Sequence, residues 1–308
     1  MPKVTVAIPT YNRENYLKEA IKSVLAQSFQ DFEVIIFDNH SDYDIARLIS
    51  DFADSRISLD TNSKNIGGAR NFSKVFNYRF RSDYVIVFHD DDTMHPGLLQ
   101  TAVEILEKDN DIVLVGASFN FVHDDKLIFR FKNLKREPDI RVFRDASGLI
   151  RLILKDFDLC FGSIVYRSDR LEDTASYQER FFKWGDRPFV IDIAKKGKCA
   201  VIKERLVNYR IHINQDSQSG APAAERDCLL NLFRFYRDNL PQPLKRQDKY
   251  LFYRFATNQM VLSGLGFANN FREYRDFLRL AKEKGLFDLK YLNIRGLYYF
   301  SKVLRKFL

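Results

Sequence analysis

A chain of 308 residues with 45% hydrophobic content forms a folded globule that can bury one large core or two modest ones, which suits an α/β catalytic domain with a smaller appendage. No stretch approaches the roughly 20 apolar residues of a membrane span, and Met-Pro-Lys-Val opens straight into a strand with no signal-peptide core, so a cytoplasmic protein is expected. Cys160, Cys199 and Cys228 are widely spaced and odd in number, which fits reduced, partly buried thiols and argues against a disulfide frame or a zinc site. The formal charge of +8 is uneven: residues 221–308 carry 17 Lys/Arg against 8 Asp/Glu, and residues 1–220 carry 32 against 33. The basic C-terminal region reads either as a surface for an anionic partner, lipid or nucleic acid, or as a solvated helical face.

Residues 4–8 form a β-branched run closed by Pro9, a buried parallel strand and its exit turn. Over residues 13–27 Leu17, Ala20, Ile21, Val24 and Leu25 fall on one helical face after Asn12. Residues 32–37 make a second strand ending in the polar loop 38–42, residues 57–59 a weak third strand, and residues 67–78 a helix. A fourth strand at 84–88 runs into His89-Asp90-Asp91-Asp92; a helix at 96–108 and a strand at 112–116 follow. This alternation predicts a mostly parallel sheet flanked by helices. In such sheets ligands gather at the carboxyl ends of the strands, so the loops after Ile8, Phe37 and Phe88 should face one cleft. Residues 118–145 are charged and are expected to form hairpins or an irregular loop. Beyond them a strand at 162–166, a helix at 187–196 and a strand at 199–202 precede a change of pattern. From about residue 220 the periodicity is helical and rich in Phe and Tyr, with breaks at 240–243 and Gly285. The expected domains are 1–220 and 221–308.

Three adjacent carboxylates at a strand end repel one another unless a cation or hydrogen-bond donors compensate. Hard oxygen ligands favour Mg²⁺ or Mn²⁺, and such ions complete their shells with water and substrate phosphates. An acidic turn capping the next helix is the plainer alternative. Asp38 is placed to accept a hydrogen bond from a nucleobase or to form a turn. Residues 65–71, Asn-Ile-Gly-Gly-Ala-Arg-Asn, offer close backbone approach at Gly67 and Gly68 beside Arg70, or a simple helix entry.

In order and spacing, residues 6–13 (Val-Ala-Ile-Pro-Thr-Tyr-Asn-Arg), Gln27, Asp38-Asn39-His40-Ser41, residues 65–71 and His89-Asp90-Asp91-Asp92 resemble the family-2 glycosyltransferases of the GT-A fold. The resemblance covers roughly the first 215 residues, and the ordered set is far more specific than any one motif. It implies an inverting, metal-dependent transferase with a nucleotide-diphosphate sugar donor, uridine-linked by default. Pro9, Thr10, Tyr11 and Arg13 would line the nucleotide pocket with Asn65; Asp38 would read the base, Arg70 would lie close to base or phosphate, and Asp90 would lie near the ribose. Asp91 would bind the metal with Asp90 or Asp92 as helper. His89 stands where many members carry the first aspartate, and His40 departs from the commoner Asp-Asp-Gly-Ser. Tyr209-Arg210-Ile211-His212 resembles the segment that closes over the diphosphate, giving His212 to metal or phosphate.

The family's catalytic base sits before a helix in the second half, a place that Trp184-Gly185-Asp186-Arg187-Pro188 fits. Asp186 would deprotonate the acceptor hydroxyl, with Trp184 and Gly185 on the acceptor side and burial against Trp184 raising its pKa. Capping of the helix by Asp186 is the simpler reading, and both can hold. His95 and His123 take no role. Residues 290–308 mix basic with apolar and aromatic side chains and contain no acid, which suits an anionic membrane surface, the preceding helices or a second subunit. The reading is therefore a transferase acting on a saccharide or lipid-linked saccharide acceptor in surface-glycan synthesis, at the inner face of the cell membrane. A nucleotide-sugar sensor and a nucleic-acid-binding protein are the rivals; no nucleic acid is expected. A nucleotidyltransferase is disfavoured because no glycine-rich loop follows Ile8.

Overall fold

The computed structural model describes residues 1–123, 131, 137–155, 159–171, 181, 184–212 and 222–307. Two compact units form, the first from Met1–Ala146, Asp158–Tyr177 and Phe189–Gln218, the second from Ser147–Phe157, Gln178–Pro188 and Ser219–Leu308.

The first unit is built on one sheet. Its strands are β1 (Val4–Thr10), β2 (Phe32–Asp38), β3 (Ile57–Thr61), β4 (Tyr84–Val87), β5 (Thr93–Met94), β6 (Ile112–His123), β7 (Ile140–Phe143), β8 (Val165–Arg167) and β9 (Lys198–Ile211). The spatial order is β3-β2-β1-β4-β8-β6-β9-β5, with β7 also on β9. Every residue of β1 is buried, as a strand covered on both faces requires. The helices α1 (Glu14–Leu25), α2 (Ile45–Ser50), α3 (Gly68–Phe76) and α4 (Leu98–Lys108) follow β1, β2, β3 and β5 in turn. Of the α1 face predicted from spacing, Leu17, Ala20, Ile21 and Val24 are buried and Leu25 is half-buried. Gln27, just beyond it, is buried too; its amide donates to the His95 carbonyl at 2.8 Å and accepts from the Leu99 amide at 3.0 Å. One side chain thereby ties the end of α1 to the start of α4.

The expected parallel order holds for β3-β2-β1-β4. Beyond it, β8 inserts antiparallel between β4 and β6. Strand β6 lies parallel to β9, and the far edge of β9 takes β5 and β7 antiparallel. Two strands outrun their predicted lengths: β6 continues through residues 118–123, expected to be irregular, and β9 reaches Ile211. Their mutual pairing explains this, because the register shift at Ala117/Ser118 absorbs the polar Lys203 and Glu204, that at Ser118/Phe119 absorbs Leu206, and regular pairing resumes beyond them. The rest of the predicted irregular stretch holds β7 and, at 124–130 and 132–136, lies outside the described residues. The two-residue β5 and the short α2, capped by Asp44 accepting from the Arg47 amide at 2.9 Å, carry too little periodicity to be read from sequence.

Helix α5 (Ala146–Ile153) falls almost entirely in the second unit, and α6 (Asp186–Ala194) starts there and continues into the first. In the first unit Phe189 of α6 packs on Phe76 of α3, ring centroids 4.1 Å apart. The second unit also contains α7 (Pro222–Asp238), α8 (Arg246–Phe267), α9 (Phe271–Glu283) and α10 (Ile294–Phe307). Phe233, Tyr236, Phe252 and Met260 are buried within it. Gly264 lets α8 and α9 meet, since a Cβ there would lie 2.7 Å from Tyr274 Cε2. Gly285 stops α9 with a φ of +66°, the left-handed exit that favours glycine. The predicted breaks at 240–243 and 285 both fall outside helices. All three cysteines are free and buried, and burial pushes the Cys199 thiol up to about 12.

Arg151 of α5 forks onto buried Asp248 of α8 at 2.7 and 2.9 Å. The Arg151 hydrogen bonds hold the Asp248 carboxyl below the usual carboxylate range. A lowered folded-state pKa gives stability that is present above the unfolded value of about 3.9 and lost as pH falls through the folded value. Asp248→Asn is expected to lose about 2 kcal/mol at pH 7, with the gap from wild type closing below about pH 4; urea unfolding at both pH values measures it.

Candidate active site

The turn after β4 holds Asp90, Asp91 and Asp92, all buried at 4, 7 and 1% exposure. Three carboxylates cannot be desolvated side by side without donors, and neighbouring elements provide them. From the end of β1, Thr10 donates to Asp90 Oδ2 at 2.7 Å. From the start of α1, Arg13 Nη1 reaches Asp90 Oδ1 at 2.9 Å and Asp91 Oδ2 at 3.1 Å. From β9, the Arg210 amide donates to Asp92 Oδ1 at 2.9 Å and its Nε to the Asp91 carbonyl at 2.8 Å. Just past β9, His212 Nε2 lies 3.1 Å from Asp91 Oδ2.

The electrostatics follow from this arrangement. Burial pushes the Asp90 carboxyl up to about 6, against the pull of the Arg13 charge. Burial also raises Asp92. For Asp91 burial is opposed by the His212 hydrogen bond and by the charges of His89 and Arg13, which together hold it below the usual range. Asp91 is therefore the member of the trio most firmly kept as an anion.

His89 joins this group. Its Nδ1 lies 3.3 Å from Asp92 Oδ2, and donor atoms of His89, Asp91 and Asp92 all fall within 4.8 Å of one another. Asp92 Oδ2 and His212 Nδ1 are buried without a hydrogen-bond partner among the described residues. Gly162 sits alongside, where a Cβ would lie 3.6 Å from the His89 amide nitrogen and 3.7 Å from Asp92 Oδ2. Carboxylate oxygens with an imidazole, gathered in a small buried space, form a set that fits a hard to borderline divalent cation.

The other loops at this end of the sheet are laced together. Asn12, left-handed at φ 52°, exchanges hydrogen bonds with Asp42 at 2.7 Å in both directions. Asp38, at the end of β2, is buried and accepts from the Ser41 amide at 3.1 Å and hydroxyl at 2.7 Å. Its carboxylate thus closes the local turn while keeping acceptor capacity for a ligand. His40 occupies the left-handed position at φ 66°, where a glycine is commoner, and its ring contacts the Asn62 carbonyl at 3.2 Å. Asn65 accepts from Asn39 and from the Gly67 amide, both at 2.8 Å. Asn71 ties α3 back to the Phe37 carbonyl at 3.0 Å.

Among the predicted site residues, Thr10, Arg13, Asp90, Asp91, Asp92 and His212 are in one hydrogen-bonded group. Pro9 is buried beside it in β1, and Tyr11 is 38% exposed. Asn65 and Arg70 are exposed on neighbouring loops and on α3. Trp184, Gly185 and Asp186 belong to the second unit; there Arg187 lies 5.5 Å from the Trp184 ring. Asp186 is half-buried and is the first residue of α6, a place where the helix dipole favours a carboxylate. Sequence reasoning quoted Arg210 but gave it no role, because its value comes from a contact 119 residues away. Buried between Glu19, which it pairs with, and the Tyr16 ring at 4.8 Å, Arg210 fixes the Asp91–Asp92 backbone.

A mixed sheet flanked by helices, with a buried carboxylate cluster at the carboxyl ends of its parallel strands, is the architecture of the GT-A glycosyltransferases. Residues 5–175 match Glycosyl transferase family 2, and the chain belongs to that family. It is 30% identical over 221 residues, 70% of this chain and 67% of the relative, to the GalNAc(5)-diNAcBac-PP-undecaprenol beta-1,3-glucosyltransferase of Campylobacter jejuni. Its fold matches S. aureus TarS 1-349 in complex with UDP-GlcNAc, with TM-score 0.68, 15% identity, and coverage of 99% of this chain and 89% of that one. The mannosyltransferase PcManGT of Pyrobaculum calidifontis, in complex with GDP-Man and Mn²⁺, matches with TM-score 0.54, 15% identity, and coverage of 99 and 80%.

Arg210→Met is expected to cost about 2 kcal/mol of stability, which chemical denaturation measures.

Proposed function

We propose that this glycosyltransferase is an inverting enzyme that transfers a sugar from a uridine-diphosphate donor to a hydroxyl of a lipid-linked saccharide in cell-surface polysaccharide synthesis. The observation that carries the reading is the convergence of Arg13 and His212 on one oxygen of Asp91, with His89 and Asp92 adjacent. A diphosphate is a ligand that such a mixed site of carboxylates and cations suits, because a divalent ion held by the carboxylates would offset phosphate charge. The named donor of the TarS complex and the undecaprenyl-linked substrate in the Campylobacter relative's name support the choices of donor and acceptor. They also support a workplace at the inner face of a membrane.

Asp91, with Asp92, His212 and His89, would hold Mn²⁺ or Mg²⁺, whose role when bound is to offset charge building on the leaving diphosphate. Arg13 supplies a second positive charge at the carboxylates. Thr10, Arg13 and Asp90 would orient the nucleotide beside Pro9 and Tyr11, with Asp38, Asn65 and Arg70 on the base and phosphate side. Asp186 would accept the proton of the acceptor hydroxyl as it attacks the anomeric carbon opposite the leaving group, with Trp184 and Gly185 flanking the acceptor. A single displacement of this kind inverts the anomeric configuration. The domain reading, a catalytic region at 1–220 and a basic helical region at 221–308, belongs to the same proposal.

Incubation with a panel of UDP- and GDP-sugars plus Mn²⁺ or Mg²⁺ tests the donor, and proton NMR of the product tests inversion. Asp186→Asn is expected to lower turnover by roughly 10²-fold or more with donor affinity unchanged, and Asp91→Asn to weaken metal and donor binding together. Retained turnover in Asp186→Asn, or a retained anomeric configuration, would overturn the mechanism.

A further inference from the structure

The second unit carries a surface that the transfer chemistry does not use. Helix α10 sits on α8 through Gly296, where an added Cβ would collide with Asn258 Oδ1 and come within 2.5 Å of Leu292 Cδ1. Asn293 caps the helix, accepting from the Gly296 amide at 2.9 Å. Lys306 donates to the Ala268 carbonyl at the end of α8 at 3.3 Å. These contacts fix the rotation of α10 about its own axis and determine which side chains face away.

The outward side chains recur at helical spacing. Ile294 is 86% exposed, Leu297 54% and Tyr298 56%, and Lys302 and Arg305 continue the same stripe. Lys302 Nζ lies 4.7 Å from the Tyr298 ring. Leu289, in the turn before the helix, is 61% exposed. Residues 289–308 contain no Asp or Glu.

We propose that this face of α10 docks on an anionic lipid bilayer. The aliphatic side chains of the first turns would enter the boundary between headgroups and acyl chains, and the cations of the last turns would meet lipid phosphates. Tyr298 suits the interface between them. A second copy is the poorer partner, because a self-complementary pairing gives Lys302 and Arg305 no carboxylate on the opposing stripe to meet. A nucleic-acid backbone has no use for Ile294 and Leu297. The inference deepens the lipid-linked acceptor reading by naming the surface that meets the bilayer, and its observations stand independently of that reading.

Flotation of the full chain with vesicles tests it, using phosphatidylglycerol mixed with phosphatidylcholine against phosphatidylcholine alone, without donor or glycolipid. Binding is expected only with the anionic vesicles and should weaken as salt rises. A Lys302→Gln, Arg305→Gln double variant is expected to bind about thirtyfold more weakly. An Ile294→Ser, Leu297→Ser double variant should also bind more weakly, with an unchanged melting temperature in both cases. Absence of binding, binding unaffected by both double variants, or a dimer that the serine variant dissociates in sedimentation velocity would overturn the proposal. Since the vesicles carry no acceptor, a failed transfer assay leaves this result intact, and failed flotation leaves the transfer reaction intact.

Discussion

Placing Asp90, Asp91 and Asp92 side by side, each less than a tenth exposed, is the constraint around which the first unit is organised. Desolvated carboxylates at such spacing are tenable only where positive charge and donors are already in position. The chain meets this from three separate places: Thr10 and Arg13 around the β1–α1 turn, His89 within the acidic turn, and Arg210 and His212 at the end of β9. The compensation is graded. Asp91 receives most of it and stays ionised, while burial dominates at Asp90 and Asp92 and raises both. One strong anion flanked by two more proton-retentive neighbours is a site whose charge state responds to whatever cation or phosphate arrives.

The parallel half of the fold was legible because its signals are local. Buried β-branched runs such as residues 4–8, and the Leu17, Ala20, Ile21, Val24 face of α1, carry their structure in their own periodicity. The mixed remainder was legible only in part: strands at 112–116, 162–166 and 199–202 were expected, but not their full lengths or their pairing. Strand β9 contains Lys203, Glu204 and Arg205 in mid-course, so the sequence shows only its first stretch, 199–202, until β6 is set beside it, and β5 exists only as a partner for Val207 and Asn208. Adjacent carboxylates at a strand end marked the acidic turn, and family resemblance added the His212 segment. It could not assign Arg210, whose side chain works through a backbone carbonyl, nor foresee that His89 would turn its Nδ1 toward Asp92.

The departures from the commoner loop sequences are accommodated locally. His40 accepts the left-handed conformation usually left to glycine, a cost that its contact with the Asn62 carbonyl helps offset. Asn62 in turn donates to Asn39 at 3.1 Å and to Asn71 at 3.0 Å. The loops after β2 and β3 are thus stiffened by carboxamides, which bind loop to loop without adding charge near the acidic turn.

The long reach from Arg210 to the Asp91 carbonyl has a consequence for biogenesis. During translation the four parallel strands leave the ribosome first, and the acidic turn emerges with them. Its partner from β9 follows 119 residues later, an interval on the order of ten seconds at cellular elongation rates. Through that interval the nascent chain carries three aspartates with only Thr10, Arg13 and His89 of their partners at hand. The acidic turn therefore gains its full set of donors only when β9 takes its place beside β6 and β5.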